Sequence, residues 1–313
     1  MSHRKARVVV TGGAGFIGSH LIDRLLADDS TEVLVLDNLS RGRIANLARW
    51  QGDPRLDLVQ ADVRDTQSIQ ALLHSADLVY HLAAQSTVMG AVQERGYTFS
   101  TNVVGTFNVL TAAVHNGVKR VVFTSSREVY GEPISLPVDE ESPLLAVNSY
   151  GASKVAGEAY CRAYRREFGL QTAVLRLTNV YGPRDFGRVI PHWIELARAG
   201  CELPVYGGKQ VLDFVWVGQA VEALLRAGRL ECPLPPINVG SGTGTRIVDL
   251  ARRIGRLVDS HARLNLQPAR KVEVTRFVAN VERMRQILKV EPTLDPLAHL
   301  NELVPLSLGV ALA

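Results

Sequence analysis

The chain has 313 residues, 46% of them hydrophobic and 21% charged, with a formal net charge of +4. These proportions exclude extended disorder, and the length suits one large domain or two modest ones. The arginines are scattered along the chain, often on helix-like segments such as Arg162, Arg165 and Arg166. The positive excess therefore reads as solvated helix faces and no nucleic-acid partner is expected.

In chain order, a polar, basic start over residues 1–7 leads into an apolar run, 8–10, that Thr11-Gly12-Gly13 ends at once. That run is too short for a signal peptide, and no stretch approaches the ~18 apolar residues of a membrane helix, so no membrane partner is expected. Cys161, Cys201 and Cys232 stand apart with no CxxC spacing. This argues against a zinc site or a disulfide framework, predicts no metal, and fits a reducing cytoplasm.

Short apolar runs follow at 33–36, 56–59, 78–82, 121–123 and 173–177. Between them lie helix-length stretches with apolar spacings of three and four, as in Ile17, Leu21 and Leu25. Buried strands alternating with helices predict an α/β fold, with a doubly wound parallel sheet covered on both faces and right-handed crossovers. The pattern changes after Tyr181. Gly182-Pro183 breaks the chain, and helical stretches are predicted at 189–199, 217–227 and 247–259. A smaller mixed α/β substrate-binding region is expected over the carboxyl edge of the sheet. The predicted division is 1–181, with 211–240 returning to it, against 182–210 and 241–313.

Val8-Val9-Val10-Thr11-Gly12-Gly13-Ala14-Gly15-Phe16-Ile17-Gly18 reads as strand, glycine turn and helix start. Gly12, Gly15 and Gly18 allow a tight turn, close approach to a pyrophosphate, and tight packing of helix on strand. Phe16, Ile17 and Gly18 open the helix, whose N-terminus favours phosphate. A second strand ends in Asp37, about 20 residues on, as a Rossmann dinucleotide site requires. A carboxylate there holds the ribose hydroxyls of NAD and repels the phosphate of NADP, although Arg41 nearby keeps NADP open. Asn38 and Ser40 follow it. Asp62-Val63 is placed to reach the adenine, and Leu82-Ala83-Ala84 offers small residues for backbone to lie against the cofactor. His81 by itself reads as a packed core histidine.

Tyr150 and Lys154 lie four apart, on one face of a helix. A phenol of pKa ~10 is a poor base at neutral pH, and a nearby ammonium favours its phenolate. Tyr150 can then take a proton from a substrate hydroxyl while NAD accepts hydride from the carbon. On spacing alone the pair reads equally as a solvated surface pair. Thr124-Ser125-Ser126 ends a strand, where a hydroxyl can bond the same substrate oxygen or merely cap the next turn.

Together these residues resemble the extended short-chain dehydrogenase/reductase family, in particular its nucleotide-sugar epimerases and dehydratases. The resemblance spans nearly the whole chain. It also takes in Asn102, Ser125-Ser126-Arg127-Glu128-Val129-Tyr130-Gly131 and Asn179-Val180-Tyr181-Gly182-Pro183-Arg184. It implies that Ser126, Tyr150 and Lys154 are catalytic and that Asn102 belongs to the cofactor site. Arg127, Glu128, Asn179, Arg184 and Val189 are implied on the substrate side. Arg270 with Glu273 resembles the family's late arginine–acid pair, which grips diphosphate and nucleoside ribose; the alternative for Arg270 is a surface arginine.

Two departures matter. Dehydratases of the family carry an acid–acid pair before Val-Tyr-Gly, where this chain has Arg127-Glu128, which disfavours dehydration. Glu128 resembles the glutamate of the family's nucleotide-sugar decarboxylases. Leu212 stands where many members have a diphosphate-binding arginine, for which Arg188, Lys209 or Arg270 can compensate. The expected activity is NAD-dependent 4-epimerisation of a UDP-hexose or UDP-hexuronate, with UDP-glucuronate decarboxylation as the alternative. A non-catalytic NAD(H) sensor is a third reading. Relatives pair as homodimers through two helices, here near 101–115 and 150–168.

Overall fold

The computed structural model describes residues 5–230, 233–258 and 262–304. Residues 1–4, Cys232, the last residue of the helix expected at 247–259, and the part of the 241–313 unit beyond 304 lie outside them. All six apolar runs of the first 181 residues form strands that pair in parallel. They are β1 (Ala6–Thr11), β2 (Thr31–Asp37), β3 (Leu56–Gln60), β4 (Leu78–His81), β5 (Arg120–Ser126) and β6 (Gln171–Leu177). With β10 (Ile237–Val239) they build a seven-stranded sheet in the order β10-β6-β5-β4-β1-β2-β3. The winding reverses between β1 and β4, so a crevice opens where their carboxyl ends diverge.

Both faces of the sheet are covered, which is why its strands lack polar alternation. Val8, Val10, Val33 and Val35 pack against α1 (Phe16–Leu25), α8 (Val217–Arg229) and α10 (Glu282–Leu288). Val9, Leu34, Leu36 and Val79 face α2 (Thr66–Leu72), α5 (Gly105–His115) and α6 (Ser149–Phe168). All seven residues of β5 are buried. Each such Val, Leu or Ile stabilises the fold by ~1.5–3 kcal/mol relative to exposure. Two short helices, α3 (Val88–Gln93) and α4 (Arg95–Phe99), bridge β4 to α5. Among the described residues, no helix is long and apolar enough to cross a membrane.

The last third forms a second layer. β7 (Asn179–Tyr181) and β13 (Arg276–Phe277) pair in parallel with β9 (Val211–Trp216), and β11 (Gly244–Arg246) pairs with it in antiparallel. β8 (Leu203–Tyr206) and β12 (Leu264–Gln267) form a separate parallel pair. A core of Tyr181, Ile190, Trp193, Phe214, Leu250 and Ile254 joins these strands to α7 (Val189–Arg198) and α9 (Ile247–Leu257). Of segment 211–240, α8 and β10 lie against or within the main sheet, whereas β9 builds the second one. β7 leaves the first unit to join it.

Behind the crevice lies a buried ion pair. Arg176 on β6 grips Glu158 on α6 with two contacts, Nε–Oε1 at 2.9 Å and Nη2–Oε2 at 2.6 Å. Its Nη1 donates to the Tyr130 hydroxyl at 2.8 Å and to the Glu140 carbonyl at 2.9 Å. Ser125 on β5 donates to Glu158 at 2.5 Å. Removing one partner of a buried pair strands the other charge. Glu158→Ala is expected to destabilise the protein by ~3–5 kcal/mol in urea unfolding followed by circular dichroism. A loss below ~1 kcal/mol would show that the pair is dispensable.

Candidate active site

The glycine loop makes one wall. Gly12 has φ +72°, and a Cβ there would lie 2.8 Å from the Ala83 nitrogen. A Cβ at Gly18 would press on the Gly12 carbonyl. The turn after β1 therefore meets the segment after β4 backbone to backbone, and the start of α1 packs as closely on that turn. The N-cap of α1 is Gly15, with no side-chain capping bond. First-turn N–H groups without an intrahelical partner are thus left for a ligand at the loop mouth.

A cavity of about 890 Å³ runs from this loop across the crevice. Gly12, Gly15, Phe16, Ile17 and Gly18 line it. So do Asp37, Asn38, Ser40 and Val63 at the β2–β3 end, and Leu82, Ala83 and Ala84 after β4. The Asp37 carboxylate accepts from the backbone N–H of Ala14 at 3.0 Å and of Leu39 at 2.9 Å. Burial raises its pKa above the ordinary value, and those two bonds oppose the shift. Arg41 interacts electrostatically with Arg188 and Asp185, across the cavity mouth. An uncapped helix start, a cradle that a Cβ would fill and a carboxylate at the ribose position fit NAD.

Two expected cofactor residues stand behind the wall. Asp62 is taken up by Arg64, at 2.7 Å, and by the Asn38 amide, at 2.9 Å, and these contacts hold its carboxyl at about 2. Asn102 is buried and ties the 83–87 turn to α6. It exchanges two hydrogen bonds with the Gln85 backbone and donates to Ser153 Oγ at 2.9 Å. His81 is a core residue, bonded to Thr11 and Thr106 and pushed down to about 3 by burial.

Ser126 ends β5, and Tyr150 and Lys154 lie in the first turns of α6. Asn148 caps that helix, its Oδ1 accepting from Gly151 N at 2.8 Å. The Ser126 hydroxyl, which accepts from Glu128 N at 3.2 Å, stands near enough to the Tyr150 phenol to act on its pKa. Burial raises the phenol's pKa and Glu128 adds to this, while Arg188, the Ser126 hydroxyl and Arg127 work the other way and favour phenolate. Lys154 donates to the Thr124 carbonyl at 2.8 Å and lies 5.9 Å from the Tyr150 ring. Burial lowers its pKa to about 8. Arg188 is the foremost cation acting on the phenol, Glu128 offsets Arg127, and the Lys154 ammonium stands within cation–π range of the ring.

On the substrate side, three of the arginines that line the cavity each stand beside an acid close in sequence. Arg127 pairs with Glu128 at 2.9 Å, Arg188 with Asp185 at 3.2 Å, and Arg270 with Glu273 at 2.9 Å. Arg270 also stacks over Tyr206, 3.7 Å from the ring centroid. Burial raises the Asp185 carboxyl to about 6 against the pull of Arg188. Asn179, Arg184 and Val189 are wall residues too. Asn179 donates to the Asp213 carbonyl at 2.8 Å, and Arg184 pairs with Asp23 at 2.8 Å. Leu212 packs into the core of the second layer. Of the three candidates to replace an arginine there, Arg188 and Arg270 reach the cavity and Lys209 does not.

Sequence reasoning missed several wall residues. Gln85 Oε1 and Thr101 Oγ1 are buried in the wall without a partner, and only the position of Gln85 directly after Ala84 pointed to it. Asn148, two residues before Tyr150, carried a helix-cap signal. Nothing local marked Asp185.

The arrangement holds a dinucleotide against a hydroxyl–phenol pair and offers arginines for an anion. Gly12→Ala places a Cβ against Ala83 in a conformation that costs L-residues ~1–2 kcal/mol. The purified variant is expected to retain at least ~10-fold less NAD per chain than the parent, measured by absorbance after acid release. Equal NAD content would remove the loop from the cofactor site.

The NAD dependent epimerase/dehydratase family model matches residues 8–240. The chain is 36% identical over 293 residues to the UDP-glucose 4-epimerase of Mycolicibacterium smegmatis, covering 91% of this chain and 93% of that one. It is 32% identical over 316 residues to UDP-glucuronic acid decarboxylase 6 of Arabidopsis thaliana, covering 97% and 90%. Among solved structures it is similar to the dTDP-glucose 4,6-dehydratase DesIV of Streptomyces venezuelae with NAD bound. That match has a TM-score of 0.91 at 32% identity, over 96% of each chain. Glycine cradle, hydroxyl–phenol pair and family match agree: the chain is an NAD-dependent enzyme of the epimerase/dehydratase family.

Proposed function

We propose that the chain is a 4-epimerase of a UDP-sugar. The observation that carries this reading is that Ser126, Tyr150 and Lys154 line the same cavity as the glycine cradle. The glycine loop and Asp37 would hold NAD, with Lys154 at its nicotinamide ribose. When bound, NAD supplies a hydride acceptor that makes the carbon-4 alcohol a ketone and later gives the hydride back.

The chain's own residues handle the proton and the oxygen. Ser126 holds the carbon-4 hydroxyl, and Tyr150 takes its proton as the carbon is oxidised, then returns it. Arg188 and Arg127 favour the phenolate in the interval. Arg270, stacked on Tyr206 and fixed by Glu273, suits the diphosphate, because its planar fork matches phosphate oxygens. The ketone must turn and take the hydride on its other face.

Arg127 supports epimerisation over dehydration, since it puts a permanent cation where elimination of water needs a carboxylic acid. UDP-glucuronate decarboxylation is the second reading, favoured by Glu128 and by the Arabidopsis relative. Against it, Glu128 already spends one oxygen on Arg127 and the other on Asn148 Nδ2, at 2.7 Å.

The test is to incubate the protein with UDP-glucose, UDP-glucuronate and UDP-N-acetylglucosamine without added NAD, followed by NMR. Inversion at carbon 4 of one of them is expected, with Tyr150→Phe lowering kcat by ~10²–10⁴-fold. No inversion in any would sink the reading, and NADH accumulating with stoichiometric NAD would point to a simple dehydrogenase.

The same reading includes a homodimer. Phe107, Tyr160, Tyr164 and Phe168 form a run of ring contacts on α5 and α6, with centroids 5.2–6.5 Å apart. Phe107 is 41% and Phe168 56% exposed, beside Phe99 at 61%. An apolar face of this kind supports a second copy as its cover. Phe107→Ser with Phe168→Ser is expected to halve the mass seen by sizing chromatography with light scattering. A monomeric parent would remove the dimer.

A further inference from the structure

Arg127 follows Ser126 directly and is buried in the same wall. Its Nη2 is spent on Glu128, and its plane stands 5.7 Å over the Phe277 ring. Nη1 is buried with no hydrogen-bond partner. A guanidinium carries five N–H donors, and leaving one buried and unpaired costs more than an ordinary hydrogen bond returns. Glu128 cannot turn to satisfy it without abandoning Asn148. Nη1 is closed off from the cavity, but the side chain keeps 11% exposure in the wall, where an acceptor from outside the chain can complete the group once it turns.

The place of Arg127 restricts that acceptor. If Ser126 and Tyr150 hold carbon 4, the anomeric diphosphate lies across the sugar ring, toward other residues. The neighbours of carbon 4 are carbons 3 and 5, and carbon 5 alone bears an exocyclic carbon that can carry a negative charge. A planar carboxylate matches the guanidinium fork. Both Glu128 oxygens are already bonded, one by Arg127 and one by Asn148, which limits its repulsion of an entering carboxylate. Arg188 adds a second cation on the same side of the phenol.

We infer that Arg127 reads a carboxylate on carbon 5 of the sugar, so that the substrate class is a nucleoside-diphosphate hexuronate in preference to a neutral hexose. This rests on the reading of Ser126 and Tyr150 as the carbon-4 pair.

UDP-glucuronate and UDP-glucose differ only at carbon 6 and test it directly. The parent protein is expected to favour UDP-glucuronate by ~10- to 100-fold, both in Kd by calorimetry and in kcat/KM by NMR, the range for a hydrogen bond to a charged group. In Arg127→Met with Glu128→Gln, which leaves no unpaired carboxylate behind, the selectivity ratio is expected to collapse toward one, chiefly through Kd and KM. Arg127→Lys restores part of it. A parent that prefers UDP-glucose, or a ratio untouched in the double variant, overturns the inference while leaving the 4-epimerase reading intact. If no UDP-sugar is inverted at carbon 4, the underlying reading falls and this inference with it. Arg127-dependent binding of UDP-glucuronate followed by release of carbon dioxide would support carboxylate recognition and overturn the epimerase reading alone.

Discussion

Glu158 and Arg176 meet in the interior, where either charge alone would be costly, and the catalytic geometry depends on their meeting. Glu158 lies one helical turn beyond Lys154 and two beyond Tyr150, so its anchoring fixes the rotation of α6 about its axis. Ser125, bonded to the same carboxylate, is the residue before Ser126. Arg176 reaches on to Tyr130, at the end of the turn that carries Arg127 and Glu128. Helix, strand end and turn therefore share one charged joint, and the hydroxyl–phenol pair is aligned by an ion pair that lies outside the cavity lining. A network of this kind rigidifies only when every member is satisfied. Here the arginine and the carboxylate both spend their directional capacity on named partners.

The cavity shows a second use of the same chemistry. Arg127, Arg188 and Arg270 each stand beside an acid within three residues in sequence. Such neighbours keep the guanidinium groups oriented and charge-balanced before any anion enters, which reduces the ordering that binding would otherwise require. The cost appears at Asp185, whose carboxyl burial raises to about 6. A cavity built this way recognises anions by directed donors more than by net positive charge.

Much of this was legible in the sequence, because it is local. A glycine turn between an apolar run and a helix start is written in eleven consecutive residues, and strands buried on both faces show as unbroken apolar runs. What escaped depends on contacts distant in sequence. The partnership of Glu158 with Arg176 requires knowing that α6 packs over β6. The bonds of Asn102 to Gln85 and Ser153, which tie the turn after β4 to α6, have no local sign in the sequence. The pairing of Asp62 with Arg64, two residues on, is local but was not read from it. The apolar run at 211–216 says strand but not which sheet, and β9 builds the second one. At Arg127 the departure from an acid–acid pair was visible, while its unpartnered nitrogen was not.

Asn148 joins two regions that the sequence keeps 124 residues apart. Its Oδ1 caps the helix of Tyr150, while its Nδ2 donates both to Glu128 and to the Val272 carbonyl, at 3.1 Å. Val272 lies between Arg270 and Glu273. One amide thus serves as a mechanical linkage between the loop of Arg270 and Glu273 and the first turn of the helix that carries Tyr150. A displacement of that loop must either stretch this linkage or pull on the cap, so whatever seats Arg270 also bears on how firmly Tyr150 is held.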